Sequence, residues 1–94
     1  MTITALFARR VPEADADEVF SRLKRRLPHV FAGVDRRTPI GNLPLDSLDF
    51  VELLCATEDE FGVLLTAETY MNARTVEDLI RAIAVRRTRT KGAS

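Results

Sequence analysis

Ser47 is the residue whose type and setting are best suited to chemistry. It stands in Asp46-Ser47-Leu48-Asp49, 15 residues before Gly62, at the start of a strongly patterned segment. Asp46 reads as a helix N-cap and Asp49 as its capping-box partner, so Ser47 becomes the first helical residue. Free backbone amides and the positive end of the helix dipole favour a phosphate ester there. Nucleophilic catalysis is poorly supported. The only histidine is His29, no group is placed to orient it, and no Gly-x-Ser-x-Gly elbow occurs. A serine without a base is a weak nucleophile. The expected role is passive: another enzyme modifies Ser47.

Other reactive side chains carry less. Cys55 is alone, which excludes an internal disulfide and a cysteine-rich metal site; it reads as a small apolar residue. His29 follows directly on a helix-ending proline and reads as a surface residue. Glu58, Asp59 and Glu60 diverge around a helix and do not form a metal site, so none is expected.

The elements around Ser47 are helical. Asp15 and Glu18 suggest a capped start for a first helix, with Val19 or Phe20, Leu23 and Leu27 on its buried face. Pro28 ends or bends it, and Val30 and Phe31 extend the apolar stripe. Residues 32–45 form a long connection containing Gly33, Pro39, Gly41, Asn42 and Pro44, anchored by Val34, Ile40, Leu43 and Leu45. A loop of that length in a small domain points to function. The second helix carries Phe50, Leu53, Leu54, Thr57 and Phe61 as its core stripe, and Gly62 supplies its left-handed stop. Its length is about 22 Å. Thr66 caps a short helix over residues 67–71. Thr75 caps the last one, where Val76, Leu79, Ile80 and Ile83 share a face. No strand pattern or repeat is present. The expected fold is all-α: a small four-helix bundle with three longer helices and one short one, and a long loop between helices 1 and 2. Its bounds are an N-terminal extension over 1–14, a helical domain over 15–86 and a basic disordered tail over 87–94.

Ninety-four residues, 46% of them hydrophobic, make one small domain. No window has the length and apolarity of a membrane span, and Arg9 and Arg10 interrupt any signal-peptide core. A cytoplasmic location is the expectation. Net charge is zero but unevenly spread. Residues 1–45 carry 8 basic and 5 acidic groups (+3), residues 46–80 carry 1 and 9 (−8), and residues 81–94 carry 5 and none (+5). An acidic middle fits a partner with a basic patch. The alternative is a set of helix faces whose charges pair within the domain.

The stretch Leu43-Pro44-Leu45-Asp46-Ser47-Leu48-Asp49-Phe50-Val51-Glu52-Leu53 closely resembles the attachment motif of acyl carrier proteins. The similarity continues through Glu58-Asp59-Glu60-Phe61-Gly62 and Thr75-Val76-Glu77-Asp78-Leu79-Ile80, over roughly residues 15–85. The resemblance implies that Ser47 receives 4′-phosphopantetheine from coenzyme A, through a Mg²⁺-dependent phosphopantetheinyl transferase. The arm's thiol would hold acyl groups as thioesters and offer them to partner enzymes at high effective concentration. By the family pattern Asp46, Leu48, Asp49, Val51 and Glu52 are read by those partners, and Asp59 extends that face. An acyl chain can be sheltered near the second helix, which here implicates Phe50, Leu53, Thr57 and Leu65. The bulk of Phe50 and the polarity of Thr57 favour a short or polar cargo.

Carriers of fatty acid synthesis are acidic throughout, whereas this chain has a basic first helix and tail. That favours a dedicated carrier in a specialised lipid or secondary-metabolite pathway. The expected state is a monomer, not an enzyme, without nucleic-acid or membrane partners. The rival reading is a non-carrier helical interaction module that docks through its basic helix and tail, with Ser47 as a simple cap.

Overall fold

The computed structural model describes the backbone of residues 11–93 and the side chains of residues 11–87; the expected extension over 1–14 lies largely outside the described residues. Among the described residues five helices follow in order: α1 (Glu13–Arg26), α2 (Pro28–Phe31), α3 (Ser47–Phe61), α4 (Ala67–Asn72) and α5 (Val76–Ala93), with a 3-10 turn at Ile40–Asn42. No strand occurs among the described residues. The fold is the expected small all-α bundle of three long helices, with α2 as an additional single turn.

Helix α1 starts three residues earlier than Asp15 as a cap implied. Pro12 is its cap, with φ −61° and ψ 143°. The Pro12 carbonyl accepts from the amides of Asp15 and Ala16 at 3.0 and 3.2 Å. Asp15 therefore lies inside the first turn, where its charge still suits the helix dipole. Ala16, Val19, Leu23 and Leu27 are buried, and Phe20 lies at the edge beneath the Lys24 ammonium, 4.6 Å from its ring. Pro28 ends α1 and begins α2 as its first residue, and the apolar stripe continues into buried Val30 and Phe31.

Helix α1 packs against α5, α2 and α3, and α5 also receives α3 and α4. Val76, Leu79, Ile80, Ile83 and Ala84 fill the α5 side of the core. The Thr75 cap is present: its hydroxyl accepts from the Asp78 amide at 3.3 Å, and the Asp78 carboxylate accepts from the Thr75 amide at 3.3 Å. Past residue 86, where the sequence reading placed a disordered tail, the backbone stays helical to Ala93. Arg, Lys and Ala are good helix formers, so losing the apolar stripe does not itself end a helix.

The long loop is fastened to the start of α5. The amides of Val76 and Glu77, which a helix start leaves without intrahelical acceptors, donate to the carbonyls of Thr38 and Arg36 at 2.9 and 2.7 Å. The Ile40 amide donates to the Arg74 carbonyl at 2.9 Å. Buried Ile40 and Leu43 add apolar anchors. Arg36 completes the attachment, with Nε and Nη2 donating to the two Glu77 carboxylate oxygens at 2.5 and 2.8 Å. Its Nη1 faces Glu13 and Asp17, both at 2.6 Å. Arg81 joins Glu77 to Glu13 on the other side. Glu77 is thereby held below the usual carboxylate range, chiefly by its hydrogen bonds from Arg36, and Arg36 is pushed above its ordinary value by the same contact.

Candidate functional site

The site is built on the N-terminus of α3. Asp46 has extended backbone, and its carboxylate accepts from the Asp49 amide at 2.8 Å, while the Asp49 carboxylate accepts from the Asp46 amide at 3.3 Å. This reciprocal cap fixes where the helix begins and makes Ser47 its first residue. Ser47 is exposed, as are Asp46, Leu48, Val51 and Glu52. Gly62, at φ 66°, closes the helix in the left-handed conformation, which suits a residue without Cβ. Leu53, Ala56, Thr57 and Phe61 are its buried residues. Phe50 and Leu54, assigned to the core stripe from the sequence, are instead half-buried at its edge, and Ala56 takes the central place.

The charges beside Ser47 are largely engaged within the domain. Asp49 accepts from His29 Nε2 at 3.1 Å in addition to its capping bond, and the Glu52 carboxylate lies 3.6 Å from the same nitrogen. Asp59, read from the sequence as an extension of the recognition face, is paired with Arg26 Nη2 at 2.9 Å. The other Arg26 nitrogen meets Glu60 at 2.9 Å, and Arg22 reaches Glu60 as well. Arg26 is raised above its ordinary value, first by its hydrogen bond to Asp59. The basic face of α1 and the far acidic end of α3 thus answer each other. Among the residues proposed for recognition, Leu48 and Val51 stand out: they are 67% and 52% exposed. Leu64 and Met71 are similarly open.

Residues assigned to a sheltered acyl site divide in two. Leu53, Thr57 and Leu65 are buried. The Thr57 hydroxyl donates to the Leu53 carbonyl at 2.8 Å, so its polarity is already satisfied within α3. Phe50 meets Tyr70 of α4 edge-on, with centroids 5.1 Å apart and an interplanar angle of 67°. Burial raises the Tyr70 hydroxyl above its ordinary value. Cys55 is exposed on α3, contrary to the small-apolar-residue reading; position 55 lies off the stripe formed by Leu53, Ala56 and Thr57. Sequence reasoning gave no partner to His29, because its contacts lie 20 and 23 residues away. The one-turn helix after Pro28 brings it to α3.

Attachment of a phosphopantetheine arm needs an exposed hydroxyl that a transferase can reach and a place for a phosphodiester. Ser47 fits, since its side chain stands at a helix start whose first amides lack intrahelical acceptors. No helix of the described residues is long and apolar enough to cross a membrane. No solved structure matches the chain. Residues 17–83 match the family described as phosphopantetheine attachment site, whose members covalently carry 4′-phosphopantetheine. That span takes in most of α1, all of α2 to α4 and α5 as far as Ile83, and the chain therefore belongs to this family of carrier domains, of the acyl carrier protein kind.

Proposed function

We propose that Ser47 is the attachment residue and that the domain presents acyl thioesters to partner enzymes in a dedicated lipid or secondary-metabolite pathway. The observation that carries this reading is the exposed serine at the first position of a doubly capped helix, within a chain of the carrier family. The arm supplies a thiol on a long flexible tether. The protein supplies the anchor, the capped helix start that orients it, and the surface by which partners recognise it.

On that surface Leu48 and Val51 are the proposed contacts, flanked by Asp46 and Glu52. Asp49 and Asp59 contribute less directly, because His29 and Arg26 already engage them. Partner binding then rests on apolar burial more than on long-range attraction, and depends weakly on salt. The edge-on pair of Phe50 and Tyr70 favours a short or polar cargo held outside the core. The interaction-module reading is less favoured on the α1 side, where Arg22 and Arg26 are engaged by Glu60 and Asp59.

Thiol titration tests the reading. In a Cys55→Ser background the chain has no thiol of its own. Incubation with coenzyme A, Mg²⁺ and a broad-specificity phosphopantetheinyl transferase should create one titratable thiol per chain, which an acyl transferase can then acylate. A chain that stays thiol-free under conditions that load another carrier contradicts the proposal.

A further inference from the structure

His29, Asp49 and Glu52 form a cluster at the edge of the proposed recognition surface, and their arrangement suits a second role. Their ligating atoms all lie within 4.8 Å of one another. The two carboxylates are one turn apart on α3, and the imidazole approaches from α2. His29 Nε2 is 3.1 Å from Asp49 Oδ1 and 3.6 Å from Glu52 Oε2. One ring nitrogen therefore faces two carboxylates. It carries at most one proton, which can make one well-directed hydrogen bond, while the two like charges repel each other.

A metal ion satisfies all three groups at once. Zinc bound at about 2.0–2.2 Å with tetrahedral angles separates its ligand atoms by about 3.3–3.6 Å. The observed 3.1 and 3.6 Å are close to that spacing, and the separation of the two carboxylates, within 4.8 Å, closes by rotation of the half-exposed Glu52 side chain. The donors are also held in place. Val30 and Phe31, which follow His29, are buried, as is Leu53 after Glu52. The second oxygen of Asp49 accepts from the Asp46 amide, which orients Oδ1 toward the His29 ring. One imidazole with two carboxylates suits a first-row divalent ion such as Zn²⁺ better than Mg²⁺ or Ca²⁺, which favour all-oxygen sites.

We propose that His29, Asp49 and Glu52 bind a divalent transition-metal ion that ties α2 to the first turns of α3. Bound there, the ion neutralises two carboxylates close in sequence to Ser47. The site is independent of the attachment reaction, so its test and that of Ser47 succeed or fail separately.

The test titrates ZnCl₂ into the untagged full chain, read by calorimetry, by the His29 ring resonances and by Tm. One ion per chain is expected, with a shift of the His29 resonances and a rise in Tm. Losing one of three ligands should cost at least as much as losing an outer-shell partner, so His29→Ala and Glu52→Gln should each weaken binding about tenfold or more. Both side chains are partly exposed, and circular dichroism checks that the variants fold. Cys55→Ser should leave the affinity unchanged, and excess Mg²⁺ should not displace the zinc. Absence of binding, binding indifferent to His29→Ala, loss with Cys55→Ser, or ready displacement by Mg²⁺ would each overturn the proposal; the first would leave His29 as a plain ion-pair partner of Asp49.

Discussion

Removing Arg36 tests how the loop before Ser47 is held. The guanidinium makes two charge-assisted hydrogen bonds to Glu77, and its remaining nitrogen faces Glu13 and Asp17. The Arg36 and Glu77 side chains are 21% and 29% exposed, between a surface pair and a buried one. Exposed pairs contribute about 0.2–1 kcal/mol, and breaking a buried pair costs about 3–5 kcal/mol. Glu77 keeps Arg81 after the change, so its carboxylate is not abandoned. Arg36→Ala should therefore cost about 2 kcal/mol, the middle of that range, which lowers Tm by about 8–16 °C for a domain this small. Arg36→Lys should recover less than half, because an ammonium cannot reproduce the two-pronged contact. Urea unfolding of Arg36→Ala, Glu77→Ala and the double variant should give a coupling energy of about 1 kcal/mol or more. Amide exchange at Val76 and Glu77, whose N–H groups donate to the loop, should quicken in Arg36→Ala. A coupling below about 0.3 kcal/mol, with exchange unchanged, would refute the view that this ion network fastens the loop.

The pH dependence of the same contact has a definite sign. Glu77 is lowered in the folded state, so its stabilisation is complete above the ordinary carboxylate value and is lost as pH falls through the lowered one; the stability difference between wild type and Glu77→Gln should shrink in acid, and a difference that grows in acid would contradict the assignment. Asp46→Ala removes the α3 cap and should cost about 1 kcal/mol in urea unfolding. Leu53→Ala, at a fully buried position, should cost about 2–5 kcal/mol. Leu48→Ala and Val51→Ala should leave stability within about 0.5 kcal/mol while lowering kcat/KM of a partner enzyme, and that loss should change little between low and high salt. Phe50→Ala should let a long acyl chain perturb the NMR shifts of Leu53 and Leu65, whereas in the wild type only the surface near Ser47 should respond; equal core perturbation in both would remove the aromatic pair as a barrier.

Much of the region around Ser47 is legible in the sequence because its signals are local. The reciprocal Asp46–Asp49 cap, the Gly62 stop and the Thr66 and Thr75 caps each involve residues a few positions apart, and all four are present. Helical spacing likewise placed Leu53, Phe61, Leu79, Ile80 and Ile83 in the core. The misreadings arose where local signals competed or where partners lie far apart. Pro12 takes the cap position in place of Asp15, since its extended backbone already offers a carbonyl to two amides. Apolar identity drew Phe50 and Leu54 into the stripe and missed the small Ala56, which fits where helices approach closely. The sequence count made α3 an acidic face, but the pairing of Asp59 with Arg26 spans 33 residues and that of Asp49 with His29 spans 20. Only the packing of α1 and α2 against α3 shows that these charges are answered within the domain, leaving Leu48 and Val51 prominent beside the serine.

Mass spectrometry tests most directly whether Ser47 carries the arm. The wild-type chain, loaded with coenzyme A by a phosphopantetheinyl transferase, should gain one phosphopantetheine-sized increment. Fragmentation should place it on the peptide containing Ser47, and Ser47→Ala should gain nothing. An increment that persists in Ser47→Ala, or that maps to another residue, would contradict the account.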